Sequence, residues 1–395
     1  MAQQVRFPAV FMRGGTSKGV FFLQRDLPGA RADWDPVFLA TIGSPDPYGR
    51  QLDGMGGGIS SLSKVVVIGP STRDDADVDY TFGQVAVDAP QVDYSANCGN
   101  LSSAVGPFAV DEGLVAAANG EGVVRIHNTN THKVIVSRFP MAGEVAAVDG
   151  DFELAGVAGT WARVRLEFLD PGGAVTGRLL PTGELLETLN IPGLGDVEAS
   201  LVDAATPVVF VAATALGVTG TESPDDLEAD AVLLTRLEAI RGEAAVRMGL
   251  AKTPEDAARN SKGVPKVAMV APPLDGVTLT GEPLPEGTMD ITVRMISMGR
   301  PHRAVPLTGA LCAAVAARLE GSLVHRLARQ GGDPAADLRI AQPSGIIPLA
   351  AAVSRDPHWH AAHAVVYRSA RRLMEGHVLV PASRLARPIA GTHPV

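Results

Sequence analysis

Two stretches limit what this chain can become: Leu101–Asp111, LSSAVGPFAVD, and Thr308–Leu319, TGALCAAVAARL. Both have helical composition and small apolar residues on every side, so neither has a face to offer to water. A helix that is apolar all round has to be buried. Each follows a strand-like segment and a small polar turn, Asn97-Cys98-Gly99-Asn100 in the first case and Ser297 to Arg303 in the second, and each is followed by further strand-like segments. The reading is mostly antiparallel sheet enclosing one buried helix, repeated once per half. Pro107 is expected to kink or shorten the first helix. A length of 395 residues also favours two cores over one. The expected seam is Leu189 to Gly195, dividing the chain into domains 1–191 and 192–395, with a ligand site in the cleft between pseudo-symmetric halves.

Composition narrows the function. The chain carries 34 basic against 43 acidic residues, a net charge of -9, which argues against nucleic acid or an anionic membrane as partner. A site for an anion must then gather its positive potential locally. Two cysteines far apart in sequence suggest a reducing cytoplasm and no disulfide framework. The opening MAQQVRFPAVFMRGG does not read as a signal peptide, and no run reads as a membrane span. The 43 glycines and 29 prolines, spread along the chain, predict many short strands and turns.

The first half holds most of the chemistry. Asn97 is expected to cap a helix, which sets Cys98 in its first turn, where unpaired N–H groups and the helix dipole favour a thiolate or a bound carboxylate. Cys312, inside its apolar run, reads as a packing residue. Arg13-Gly14-Gly15-Thr16-Ser17-Lys18 is a cationic hairpin connection without phosphate-loop spacing, and its N–H groups could form an anion nest. Asp53 to Lys64 contains Gly56-Gly57-Gly58, Ser60, Ser61 and a lysine that heads a strand. It precedes that strand, so it is not a dinucleotide fingerprint. Asp35 and Pro36 are expected to open a short helix, and Leu227 to Leu250 to form a long amphipathic one. His358, His360 and His363 in DPHWHAAH suggest a metal cluster at first sight, but Asp356-Pro357 makes them a hairpin tip; no metal site is expected.

These stretches together resemble the 2-methylaconitate cis–trans isomerase (PrpF) family of the methylcitrate pathway. The likeness runs through MRGGTSKG at 12–19, GSPDPYGRQLDGMGG at 43–57, SSLSK ending at Lys64, NCGN at 97–100, ISMGRPH at 296–302, QPSG at 342–345 and RSARRLMEG at 368–376. It covers almost the whole chain in order. It implies a diaminopimelate epimerase-like α/β (α+β) fold, two similar domains each with a curled, mostly antiparallel sheet around a central helix. The site it implies is cofactor-free, and the protein is expected to be a homodimer paired in function with an aconitase-like dehydratase. The family's catalytic lysine and cysteine fall on Lys64 and Cys98. Epimerases of this superfamily use a cysteine from each half, and here the second-half helix begins near Thr308-Gly309 without one.

The reaction class suits these residue types. Shifting or rotating a carbon–carbon double bond in an unsaturated tricarboxylate requires removal of an allylic proton and return of a proton to the conjugated anion. Lys64 is the expected base, with Cys98 as its partner acid or as the group that steadies the reactive end; the sequence leaves open which of the two removes the proton. The N–H groups of Gly56, Gly57 and Gly58 and of the helix start would stabilise the developing charge. Three carboxylates call for polar partners: Arg13, Thr16, Ser17, Met55, Ser60, Ser61, Asn97, Gly99, Asn100, Met298, Gly299, His302, Ser344 and Gly345. The alternative substrate is 4-oxalomesaconate, since the tautomerases acting on it share MRGGTSKG and NCGN. A non-catalytic tricarboxylate-binding accessory protein is the alternative from another class.

Overall fold

The computed structural model describes residues 3–95, 97–117, 120–333 and 336–385. Its contacts fall into two units, Met1–Glu167 with Tyr367–Val395, and Phe168–Val366. The expected seam lies inside the second unit: Leu189 to Gly195 includes the turn of a hairpin pairing Glu187–Ile191 with Gly195–Asp203. The division differs because the end of the chain returns to its beginning. Strand Ala370–Pro381 pairs antiparallel with Gln4–Gly14 along nearly its whole length, a non-local contact that local pattern does not encode.

In the first unit the strand order is 370–381, 4–14, 17–23, 64–70, 78–85, 121–128, 133–142. Neighbours are antiparallel except at 17–23/64–70 and 78–85/121–128. Adjacent residues of a strand point to opposite faces, and here both faces are covered. Phe22 stacks on Phe38 of helix α1 (Trp34–Ile42), with ring centroids 5.6 Å apart, and Phe21 meets Phe108 of helix α2 (Gly99–Asp111) at 5.4 Å. All four phenylalanines are buried, each contributing about 2–3 kcal/mol of apolar burial. Helix α2 packs against strands 4–14, 17–23, 64–70, 121–128, 133–142 and 370–381, so the sheet curls around it. It runs unbroken through Pro107. Helix α1 begins one residue earlier than expected, at Trp34, which leaves the Asp35 carboxylate to accept from the Tyr94 hydroxyl.

The second unit repeats this plan: 187–191, 195–203, 207–212, 266–271, 291–297, 338–342, 345–355, with parallel neighbours only at 207–212/266–271 and 291–297/338–342. The long helix expected over 227–250 is two. Asp230 ends α3 (Pro224–Ala229) and caps α4 (Ala231–Arg247) by accepting from the Leu233 N–H at 2.9 Å. Helix α4 covers one face through Leu233, Leu237 and Ile240, and α5 (Pro254–Asn260) follows it. Helix α6 (Leu307–Arg318) occupies the place of α2, between the fifth and sixth strands, and packs on strands 195–203, 207–212 and 345–355. Each helix with no polar face has thus become the centre of one curled sheet.

Candidate active site

Lys64 is the first residue of strand 64–70, which leads into Val65 to Ile68 in the core. It is only 8% exposed, yet no carboxylate among the described residues forms an ion pair with it. Its Nζ donates to Oε1 of Gln84 at 2.6 Å and sits 4.8 Å from the centre of the Phe82 ring. The Gln84 amide is held the other way round by two carbonyls, Nε2 donating to Ser60 O at 3.1 Å and Ser63 O at 2.9 Å. This fixes the amide orientation and presents its oxygen to the lysine. Motif reading overlooked Gln84, because its role depends on Lys64↔Gln84 being cross-strand partners.

Cys98 is itself the N-cap of α2, its sulfur accepting from the Leu101 N–H at 3.5 Å. The expected cap, Asn97, is engaged elsewhere: its Oδ1 accepts from Ser102 Oγ at 3.1 Å and from Asn128 Nδ2 at 3.3 Å. The Cys98 carbonyl takes the Ser102 N–H at 2.9 Å, the Ser102 hydroxyl at 3.0 Å and the Tyr80 hydroxyl at 3.4 Å. Tyr80, Phe82 and Gln84 alternate along one face of strand 78–85. The Cys98 carbonyl, through Tyr80, and the Lys64 amine, through Phe82 and Gln84, are therefore tied to the same face of this strand. The first N–H groups of α2, those of Gly99 and Asn100, have no place in the intrahelical ladder.

Asn100 joins three elements. Its Nδ2 donates to Thr16 Oγ1 at 3.0 Å and Ser17 Oγ at 3.5 Å, and its Oδ1 accepts from Arg368 Nε at 3.1 Å. Arg368 is buried without a carboxylate partner among the described residues, and loss of solvation lowers the pKa of its guanidinium to about 10. Glycine is needed here for space. A Cβ on Gly14 would come within 2.7 Å of Asn100 O and 2.9 Å of Leu101 Cα, and one on Gly15, at φ 53°, within 2.5 Å of Asn100 Oδ1. The local cation at this corner is thus Arg368. Arg13 lies on the strand face opposite to that of Gly14, its guanidinium 4.8 Å from the Trp161 ring centre and Nη1 donating to Gly15 O, Ser369 O and Ser369 Oγ.

The glycine loop differs from expectation. The Gly56 N–H donates to Ile42 O at 3.1 Å and that of Gly58 to Gln51 Oε1 at 2.8 Å, while Met55 N donates to Thr41 O. Gly57 packs on Leu62, where a Cβ would sit 2.6 Å from its side chain. Gly56 and Gly58 therefore have structural roles, and their donors are already used. Ser60 and Ser61 contribute through their carbonyls, to Gln84 and to the Lys18 N–H.

In the second unit, Met298 and Gly299, at φ 54° and 76°, form the two-residue turn between Ser297 and Arg300. The His302 N–H donates to Met295 O at 2.9 Å, and burial with the neighbouring Lys266 charge lowers its imidazole pKa. The Ser344 hydroxyl donates to Arg303 O, and Gly345, at φ 121°, opens strand 345–355. Cys312 is fully buried, its thiol directed at Val202 O and its pKa pushed up by burial, which is the packing role expected of it. His358 lies in the turn joining strands 345–355 and 359–368, and His360 pairs with Asp170 at 3.0 Å. No cluster of three or more metal-binding side chains occurs among the described residues. No described helix is long and apolar enough to cross a membrane.

The family model described as "PrpF protein" matches residues 4–381. A 2-methyl-aconitate isomerase of Shewanella oneidensis is 43% identical over 390 residues, 96% of this chain and 98% of that one. A 4-oxalomesaconate tautomerase of Pseudomonas putida is 41% identical over 342 residues, covering 87% and 88%. The crystal structure of a methylitaconate-delta-isomerase superposes with a TM-score of 0.91 at 41% identity, covering 100% of both chains. The fold is diaminopimelate epimerase-like. With two sheet-wrapped helices, a strand-heading buried lysine and a helix-capping cysteine, and similarity along its whole length, the chain belongs to the PrpF family of isomerases.

Proposed function

We propose that the protein isomerises an unsaturated tricarboxylate by allylic proton transfer, with 2-methylaconitate as the substrate and propionate breakdown through the methylcitrate cycle as the context. The observation that carries this reading is Lys64: a buried amine with no carboxylate partner among the described residues, aimed by Gln84 and set against the strand face whose Tyr80 hydroxyl reaches the Cys98 carbonyl. The amine of Lys64 removes a proton from the carbon next to the double bond, and the electron pair spreads into the conjugated carboxylate as a dienolate. The former double bond, now of single-bond character, rotates. The Cys98 thiol delivers a proton to carbon, and transfer from the Lys64 ammonium to the resulting thiolate restores both groups. Stabilisation of the dienolate falls to the first N–H groups of α2, and Thr16, Ser17, Asn100 and Arg368 supply the local polar and cationic environment that a net charge of -9 makes necessary.

We further read the protein as a cytoplasmic homodimer acting beside an aconitase-like dehydratase; its free cysteines suit a reducing compartment. The similarity to a 4-oxalomesaconate tautomerase favours a second reading, in which the same proton shift acts on that substrate. Proton NMR in D2O with each compound tests both. Isomerisation of 2-methylaconitate with deuterium entering allylic positions supports the first. Turnover of 4-oxalomesaconate alone supports the second. No exchange with either would refute the isomerase mechanism for these substrates.

A further inference from the structure

Three cations stand in a row across the sheet of the first unit. Arg13 of strand 4–14 lies directly opposite Lys18 of strand 17–23 on one side and Arg371 of strand 370–381 on the other. Directly opposed residues share a face of the sheet, and this is the face turned away from α2. The neighbouring Gly14 and Gly19 point at that helix, since a Cβ on either would sit 2.9 Å from an atom of Leu101. The row therefore lies across the sheet from Cys98 and Asn100.

Like charges directly opposite each other repel and destabilise a sheet, and here no carboxylate among the described residues forms an ion pair with any of the three. Arg13 and Arg371 lie over the same indole, their guanidinium carbons 4.8 and 5.4 Å from the centre of the Trp161 ring. Stacking uses the flat face of a guanidinium and leaves its N–H fork available in the plane. Nη2 of Arg13 is buried without a hydrogen-bond partner, and the Arg371 side chain donates no hydrogen bond among the described residues. Burial and the charge of Arg371 both lower the Arg13 pKa. Lys18 rests over Phe11, with Nζ 5.6 Å from the ring centre. In a chain of net charge -9, this row lacks its counter-charge.

We propose that Lys18, Arg13 and Arg371, set against Trp161, bind a phosphate-class oxyanion at a site separate from the isomerase centre. Two steps between adjacent strands put the outer Cα atoms roughly 10 Å apart, a span that three long side chains close onto one phosphoryl group or two joined ones. Paired guanidinium forks match the several oxygens of a phosphoryl group, and three positive charges favour a multiply charged anion over a monocarboxylate. Arg13, read from the sequence as a contact of the tricarboxylate, thereby takes a different ligand. A bound anion would also hold strand 370–381 on strand 4–14, the pairing that brings Arg368 to Asn100.

The test is calorimetric titration of the full chain with inorganic pyrophosphate, at constant ionic strength and without divalent metal. The wild type is expected to bind it, and Arg371→Gln to weaken binding by at least about tenfold. Arg371→Lys, which keeps the charge and loses the fork, should fall between the two. Lys64→Met, at the proton-transfer centre, should leave the affinity within about twofold of the wild type. Should Arg371→Gln fail to fold, Lys18→Gln removes the other outer charge and is expected to weaken binding by at least about threefold. No binding by the wild type, or equal affinity in the charge-removed variant, overturns the proposal. So does a loss in Lys64→Met that matches the loss in Arg371→Gln, which would place the anion at the isomerase centre. Binding is read without turnover, so the result stands apart from the substrate assignment.

Discussion

Gln84 offers the sharpest test of how Lys64 is aimed. Its amide makes three contacts, accepting from Lys64 Nζ at 2.6 Å and donating to the carbonyls of Ser60 and Ser63. Gln84→Leu keeps the bulk and removes all three. The bond to the amine is charge-assisted whenever Lys64 is protonated, worth about 1.5–3 kcal/mol, and each carbonyl bond about 1 kcal/mol. Water replaces the contact at exposed Ser60 more readily than the one at buried Ser63, so the expected loss of stability is about 2–3 kcal/mol. Function should suffer more than stability. Lys64 would remain over Phe82 with its only side-chain acceptor among the described residues gone, and a displacement on the order of 1 Å lowers a positioned proton transfer about 10²-fold. Steady-state turnover of 2-methylaconitate together with deuterium wash-in should show kcat down by about 10–10²-fold and KM within about threefold. A variant that folds with kcat near the wild type, or one that changes KM alone, would refute the assignment of Gln84 as the residue that aims Lys64.

Three further predictions follow from the same contacts. Lys64→Met should fold, since it exchanges a buried cation for an apolar side chain of similar length, and should abolish deuterium wash-in by more than about 10³-fold; NMR reads this directly, and residual exchange near wild type would exclude Lys64 as the base. Gly14→Ala should push the first turn of α2 away from strand 4–14, because its Cβ meets backbone atoms at 2.7 and 2.9 Å; denaturant unfolding should show a loss of about 1–3 kcal/mol and activity should fall with it. The imidazole of His302 is held below its ordinary 6.5 in the folded state, so the unfolded chain takes up a proton first as pH falls. Its contribution to stability is present above about 6.5 and is lost as pH falls below that value toward the folded pKa. His302→Asn should flatten this part of the stability–pH curve, and an unchanged slope would refute the assignment.

The sequence by itself determined the parts that are local. Small apolar residues on every side required that 101–111 and 308–319 be enclosed, and they became the central helices α2 and α6. The strand-heading Lys64 and the polar turns ahead of each helix were legible too, because strand and helix signals extend over a few residues. Tertiary structure decided what depends on distant partners. Asn97 looked like the cap from its neighbours, but Asn128 and Ser102 occupy its oxygen and leave capping to Cys98. Gly56 and Gly58 looked like free donors, but Ile42 and Gln51 consume their N–H groups. Arg368 reaches Asn100 only because strand 370–381 closes back on strand 4–14, which also moved the domain boundary. Hydrogen bonds are short-ranged and chain neighbours do not predict them across hundreds of residues. For that reason the residue types of the site could be read in advance, and the assignment of donors and acceptors waited for the fold.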